Sequence, residues 1–135
     1  MLSTEQKQLA HEIFKKVPYI KLIGMELIDI KRGEATLELK IRDHLRQLYG
    51  LLHGGATASL IDTATAFALV SILKKEEKTA TVDLTIHYLR PVIDGSIICV
   101  AKVVKPGKRL STVSAEVFDK DKNLIATALT TYTKI

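Results

Sequence analysis

A single carboxylate interrupts an otherwise uncharged stretch of the chain, and it is the first candidate for chemistry. The stretch runs from Gly54 to Leu73, reads GGATASLIDTATAFALVSIL, and has Asp62 as its one charged residue. No Lys or Arg stands three or four positions from Asp62, so a helix would place no cation beside it. Burying a carboxylate is costly unless a partner stabilises it. Asp62 is therefore either a functional group or a buried residue satisfied by hydroxyl and backbone groups.

The start of this stretch offers a second kind of chemistry. His53, Gly54 and Gly55 stand in a row directly where the helix would begin. Glycine has no side chain, so a ligand can approach the backbone closely there. The first N–H groups of a helix lack an acceptor within it and lie at the positive end of its dipole. These groups predict a place for a carbonyl oxygen that becomes negative, although Gly-Gly is also an ordinary way to begin a helix.

The segment LLHGGATASLIDTATAFA resembles the active-site segment of hotdog-fold acyl-CoA thioesterases, of the phenylacetate-degradation and 4-hydroxybenzoyl-CoA type. The shared pattern is His-Gly-Gly with an acidic residue nine positions after the His, which His53 and Asp62 obey. TVDLTIHYLRP, residues 81 to 91, resembles the third strand of that family. The resemblance extends from about Gly24 to the C-terminus. It implies a hotdog fold and hydrolysis of an acyl-CoA, and it names no acyl group.

The resemblance also implies roles for individual residues. Gln47 matches a Gln or Asn that helps hold the thioester carbonyl in related enzymes. His53 mostly organises the loop and the helix start in that family, although the residue alone could cap, donate or remain exposed. Thr81 aligns with a hydroxyl residue that some relatives place near the attacking water. Strict alternation, however, puts Thr81 on the polar face of its strand with Asp83 and Thr85.

Coenzyme A would enter as part of the substrate, and its phosphates need cations. Arg90 ends a predicted strand, while Lys105, Lys108 and Arg109 surround the turn KPGKR. Arg and Lys at exposed turns are usually only solvated, but their clustering favours a phosphate contact by at least one of them. We expect no metal and no separate cofactor.

Composition narrows the class of protein. The 135 residues predict one domain, 1–135, and 47% hydrophobic residues are ample for a core. The charge of +5 comes from dispersed Lys and Arg without interleaved aromatic residues, which gives nucleic-acid binding little support. The one cysteine, Cys99, lies in the apolar run IICVA and is interpreted as a packed strand residue in a reducing cytosol.

Two features bear on location. The N-terminal residues have no apolar segment of the signal-peptide kind. The Gly54–Leu73 stretch has the length of a membrane span, but it consists mostly of small residues and has Asp62 near its centre, so we interpret it as a buried helix. The sequence therefore predicts a cytoplasmic protein with no membrane partner.

Periodicity and turn signals predict one helix, two strands, one long helix and four more strands. A short amphipathic helix covers residues 3 to about 16, with Ser3 or Thr4 as its cap, and ends at Pro18. Leu9, Ile13 and Phe14 would share its apolar face. Strands are predicted at 25–30, 34–41, 79–89, 96–104, 110–118 and 124–133. The fold class is α+β, and the resemblance implies a hotdog fold: one long central helix wrapped by an antiparallel sheet of about six strands, plus the short N-terminal helix.

The spacing of the two candidate groups predicts a site shared by two subunits. Gly54 and Asp62 are eight residues apart, which is roughly 12 Å along a helix. A reacting carbonyl must lie about 3 Å from both the oxyanion donor and the base or its water. Two antiparallel helices across a dimer axis meet that requirement, so we expect a homodimer, which in this family can pair again into a homotetramer.

The same fold also carries other functions. Hotdog hydratases and dehydratases use Asp-x-Asn-x-x-His or His-Phe-Pro-Gly, and neither string occurs. A non-catalytic acyl-CoA-binding module is the alternative to a thioesterase. The presence of Asp62 argues against it.

Overall fold

Six antiparallel strands form one sheet, and the long helix packs across one face of it. The computed structural model describes residues 1–135. The strands follow one another across the sheet in the order β1-β2-β4-β5-β6-β3. Their bounds are Met25–Lys31 (β1), Glu34–Lys40 (β2), Thr79–Tyr88 (β3), Ser96–Lys105 (β4), Leu110–Phe118 (β5) and Leu124–Lys134 (β6). This arrangement confirms the predicted α+β hotdog architecture.

The central helix, α3, spans Gly54–Val70 and is apolar on nearly every side. It packs on β2, β4 and β5, whose inward side chains alternate as the period of two predicts. Small residues on α3, such as Ala64 and Ala68, are fully buried and let the helix approach the sheet closely. No helix of the chain is both long enough and apolar enough to cross a membrane.

The N-terminal residues form two helices rather than one. α1 spans Thr4–Lys16, and Ser3 caps it in a reciprocal capping box with Gln6. Of the three residues expected on its apolar face, only Phe14 is buried; Leu9 and Ile13 are exposed. Pro18 does not simply end the helical segment, because it opens a second helix, α2, at Pro18–Ile23. Proline is well tolerated there, since the first helical N–H has no acceptor within the helix.

A β-bulge in the edge strand β3 decides which residues face the helix. Thr81 pairs with Tyr132 and Asp83 pairs with Thr131, so Val82 is the extra residue. Because the extra residue inverts the alternation, Thr81 lies on the same side as the buried Tyr132 and not with Asp83. The prediction that Thr81 lies on the polar face was wrong for this reason.

Candidate active site

Hydroxyl groups hold the carboxylate of Asp62 in place. Thr81 Oγ1 donates to Asp62 Oδ1 at 2.9 Å. The Tyr132 hydroxyl donates to the Asp62 carbonyl oxygen at 2.7 Å and lies 3.2 Å from Oδ1. The Thr65 hydroxyl lies 2.8 Å from that of Tyr132. These bonds fix the position of one carboxylate oxygen without placing a cation beside it.

Tyr132 is a site residue that sequence reasoning missed. It lies on β6, directly opposite Thr81 across the bulged pair of strands, and its side chain is buried. Burial raises the pKa of the Tyr132 hydroxyl, so the group remains a protonated donor at neutral pH. The sequence around Tyr132 does not mark it as a site residue, because only the pairing of β6 with β3 brings its side chain next to Asp62.

Asp62 lies at a pocket of about 240 Å³ between α2, α3 and β3. Asp62 is the only charged residue among those lining it. The remaining lining is apolar or hydroxyl-bearing and includes Ile20, Phe67 and Thr81. The pocket therefore places one carboxylate against uncharged walls.

The start of α3 leaves one backbone donor free. His53 is the N-cap residue, and its Nδ1 accepts the Gly55 N–H at 2.7 Å. The Gly55 N–H is thus already used, so of the two glycines Gly54 is the better candidate for an oxyanion donor. The Gly54 N–H makes no hydrogen bond within the chain. His53 acts here as a cap, which agrees with the organising role that the resemblance implies.

A second pocket, of about 320 Å³, opens beside this free N–H. Its lining includes Gln47, Gly54, Tyr88 and Arg90. The Gln47 Oε1 accepts the Tyr49 N–H, which leaves the Gln47 amide NH₂ as the free end of the side chain. Gln47 and Gly54, each with a donor that makes no hydrogen bond within the chain, therefore line the same pocket.

Tyr88 is the second site residue that sequence reasoning missed. Its hydroxyl donates to the Gly54 carbonyl oxygen at 2.6 Å. Its ring would lie 3.4 Å from a Cβ placed on Gly54. Partial burial raises the pKa of the Tyr88 hydroxyl, which keeps it a donor at neutral pH. Tyr88 therefore anchors the first turn of α3 at the pocket.

Arg46 fixes the loop that contains Gln47. Its guanidinium donates to the carbonyl oxygens of Gly50 at 2.8 Å and Ile93 at 2.5 Å, and it pairs with Asp94 at 3.1 Å. The first of these bonds closes the turn after Gln47, and the other two tie that turn to the segment between β3 and β4. The position of Gln47 is thus set by neighbours on two segments.

The candidate cations for phosphate do not gather in one place within a chain. The Arg90 N–H bonds to the Ile125 carbonyl, whereas Lys134 bonds to Arg109 at the other end of β6. Nine residues of extended strand separate these points, about 30 Å. Lys105 and Lys108 lie with Arg109 at the β4–β5 turn, away from Arg90. All four side chains are exposed and none forms a salt bridge.

Other chemistries have little support in the chain. No group of three or more His, Cys, Asp and Glu side chains could hold a metal ion. Cys99 is fully buried in β4, and burial raises the pKa of its thiol to about 12.

We expect Cys99 to be inert in the folded protein. At pH 8, about four units below its pKa, the reactive thiolate is roughly one part in ten thousand, and the side chain is also inaccessible. A disulfide reagent such as 5,5′-dithiobis(2-nitrobenzoate) should titrate no thiol in the native protein and one thiol per chain in guanidinium. Rapid labelling of the native protein would contradict the placement of Cys99 in the core.

Comparison with known proteins gives consistent matches. The sequence model described as the Thioesterase superfamily matches residues 49–126. The chain is 28% identical over 123 residues to human acyl-coenzyme A thioesterase 13, covering 87% of each chain. The structure of the PaaI protein from the phenylacetic acid degradation operon of Escherichia coli superposes with a TM-score of 0.90 at 25% identity, covering 100% of this chain and 96% of that one. The conserved protein PA5202 of Pseudomonas aeruginosa superposes with a TM-score of 0.84 at 32% identity, covering 99% and 100%.

Proposed function

Since this chain belongs to the thioesterase superfamily and is a thioester hydrolase, we propose that its substrate is an acyl-CoA, which it splits into a carboxylic acid and coenzyme A. The observation that supports this most directly is the carboxylate of Asp62, held by the Thr81 hydroxyl at 2.9 Å in a pocket with no other charged lining residue. A carboxylate in such surroundings is well placed to act on a neutral thioester.

The carbonyl oxygen of the thioester would rest on two donors at the start of α3. One is the free Gly54 N–H and the other is the Gln47 amide. As the tetrahedral intermediate forms, its oxygen becomes negative, and preorganised donors at the positive end of a helix stabilise that charge. Gly55 and His53 would contribute indirectly, since their mutual hydrogen bond shapes the first turn.

Asp62 has two routes to the same products. As a general base it would take a proton from water while the water oxygen attacks the carbonyl carbon, the C–S bond breaks, and the coenzyme A thiolate leaves and is protonated. As a nucleophile its carboxylate oxygen would displace the thiolate to form a mixed anhydride, which water then cleaves. Both routes stay open, and both need the carboxylate at the carbonyl carbon.

Each active site would combine two subunits in a homodimer. The Gly54 and Asp62 pockets share no lining residue, and helix geometry separates the two positions by roughly 12 Å. β3 lies at the edge of the sheet, and its bulged Val82 is 55% exposed. Two such edges paired about a two-fold axis would set the α3 helices antiparallel, bringing Gly54 of one subunit towards Asp62 of the other. Two dimers could then pair into a tetramer.

The same dimer would reduce the separation of the candidate cations. Antiparallel pairing of β3 brings the Arg90 end of one subunit to the end of the other subunit that holds the β4–β5 turn. Arg90 would then share its end of the dimer with Lys105, Lys108 and Arg109 of the neighbour. We propose these four as the contacts for the phosphates of coenzyme A.

The proposed substrate class is tested by thiol release from a panel of aryl and alkyl acyl-CoAs. We expect many turnovers per chain on at least one member, with a rate proportional to enzyme concentration. The matched control is the same panel with the acyl group on an acyl-carrier protein. Turnover on the carrier protein with none on any acyl-CoA would refute the proposal.

The Thr81 hydroxyl should matter for kcat. Thr81→Val removes a hydrogen bond to a charged acceptor, worth about 1.5–3 kcal/mol, so kcat should fall roughly 10- to 100-fold. Thr81→Ser retains the hydroxyl and is the matched control, expected within a few-fold of wild type. Steady-state kinetics of the three proteins check this, and equal activity in Thr81→Val and wild type would remove Thr81 from the site.

A further inference from the structure

Val17 and the first residues of α2 form one wall of the Asp62 pocket. Val17, Tyr19 and Ile20 all line it. The Tyr19 hydroxyl lies 2.6 Å from the Ser59 hydroxyl on α3, which ties α2 to the central helix. Ile20 is 3% exposed and points inward. The wall is therefore an apolar side chain on a short helix that is anchored to the core.

A second and larger space lies behind this wall. A cleft of about 700 Å³ runs between α1, α2 and β1, and Ile20 lines both the cleft and the Asp62 pocket. Phe14 lines the cleft and Phe67 lines the pocket. Their rings meet edge to face with centroids 5.1 Å apart. Ile20 and this pair of rings thus form the partition between a small pocket and a large cleft.

Charge decides which end of an acyl-CoA belongs in the Asp62 pocket. The pocket beside Gly54 includes Arg90 in its lining, which suits the phosphate-bearing end of coenzyme A. The Asp62 pocket has no cation and mostly apolar walls, which suit the acyl group. An apolar cavity of about 150 Å³ takes up benzene. A pocket of about 240 Å³ therefore accommodates one aromatic ring with a linking methylene, or a short alkyl chain. Because the pocket is open to solvent on one side in the single chain, the limit on acyl length comes from the Ile20 wall at its inner end and not from its volume.

We infer that Ile20, backed by the Phe14–Phe67 pair, closes the acyl end of the pocket and restricts the enzyme to compact acyl groups of the aryl-acetyl or short alkyl class. This inference rests on the proposed acyl-CoA hydrolysis. Ile20 is a specificity-determining residue in this scheme, since it limits the length of the group that reaches Asp62 and takes no part in the reaction itself.

The test is a profile of kcat/KM across straight-chain acyl-CoAs from acetyl to dodecanoyl, with phenylacetyl-CoA alongside. The wild type should prefer phenylacetyl and short alkyl groups. Ile20→Ala should open the partition and move the optimum to longer chains, with a gain of about tenfold for each two methylenes that the cleft takes up. Leu22→Ala is the matched control, because Leu22 lies on the same helix, is 71% exposed and lines neither space. Its profile should equal that of the wild type.

A second variant covers the case in which Ile20→Ala does not fold. Ala66 lines the Asp62 pocket from α3, so Ala66→Leu fills the pocket and should move the profile the opposite way. Activity on acetyl-CoA should persist while activity on phenylacetyl-CoA falls at least tenfold. Circular dichroism and a melting curve establish folding of each variant.

The outcomes separate this inference from the proposed function. A wild type that prefers dodecanoyl-CoA overturns the inference and leaves acyl-CoA hydrolysis intact. So does an unchanged length profile in folded, active Ile20→Ala, or in folded, active Ala66→Leu. Absence of turnover by the wild type on every acyl-CoA overturns both.

Discussion

Asp62→Asn should lower kcat by about 10²–10⁴-fold, the range that a positioned general base contributes. Asparagine has the shape of aspartate and retains an oxygen that can accept from Thr81, which now donates to Asp62 Oδ1 at 2.9 Å. What it lacks is the charge needed to take a proton from water or to attack a carbonyl. KM should change little, because the acyl pocket keeps its shape. Thiol release on the best substrate of the panel measures both parameters.

The matched control for this variant is Asp29→Asn. Asp29 lies on β1 at the far edge of the sheet, and its one salt bridge, to Lys31, is long at 3.9 Å and exposed. Its replacement should leave kcat within a few-fold of wild type. The melting temperature of Asp62→Asn should stay close to that of the wild type, because asparagine retains the shape of the side chain and an oxygen that accepts from Thr81. An Asp62→Asn enzyme that keeps more than a tenth of wild-type kcat would exclude Asp62 as base or nucleophile.

The parts of the fold that depend on local pattern were predictable. β2 alternates Ala35, Leu37 and Leu39 towards the core, and the structure confirms that alternation. The start of α3 at Gly54 matches the start of the stretch from Gly54 to Leu73. The helix ends at Val70, three residues before that stretch ends. The pattern of apolar residues is enough to predict these elements, because burial of their apolar side chains is the dominant favourable term in the free energy of folding.

The bulge at Val82 was beyond the reach of local pattern. The string TATVDLTIHY alternates without a break, so nothing in it marks the residue where the alternation inverts. The inversion comes from the register with β6, in which Thr81 and Asp83 pair with adjacent residues. A strand at the edge of a sheet is free to bulge, and bulges often re-aim side chains beside active sites. Thr81 therefore reaches Asp62 through pairing with a strand that lies far along the chain.

The same distinction separates the site residues that were found from those that were missed. Gly54 and Asp62 lie in one continuous segment with a recognisable spacing. Tyr132 is 70 residues from Asp62 along the chain, and Tyr88 is 34 residues from Gly54. Both tyrosines support backbone groups of α3 from the sheet below. Their roles depend on how the sheet closes against the helix, which the local sequence does not encode.

Gly54→Pro should lower kcat by roughly 10²–10³-fold, the cost of removing one oxyanion donor. Gly54 is the first residue of α3, where proline fits, and His53 has the extended backbone (φ −64°, ψ 132°) that a residue before proline adopts. The substitution therefore deletes the free N–H while the helix keeps its start. Gly54→Ala is the matched control, because it retains the N–H and its Cβ meets the Tyr88 ring at a tolerable 3.4 Å. Equal losses in the two variants would assign the effect to crowding and remove the Gly54 N–H from the mechanism.

Mixing the two inactive variants then tests whether each site spans two subunits. In a heterodimer of Asp62→Asn with Gly54→Pro, one shared site would combine the intact Gly54 of the first chain with the intact Asp62 of the second, and the other site would hold both defects. Random reassociation makes half of the dimers heterodimers, so the mixture should recover about a quarter of wild-type activity. If Gly54 and Asp62 of the same chain served one site, every site in the mixture would hold a defect and mixing would restore nothing. The two groups lie in pockets with no lining residue in common, and this is the physical reason to expect recovery.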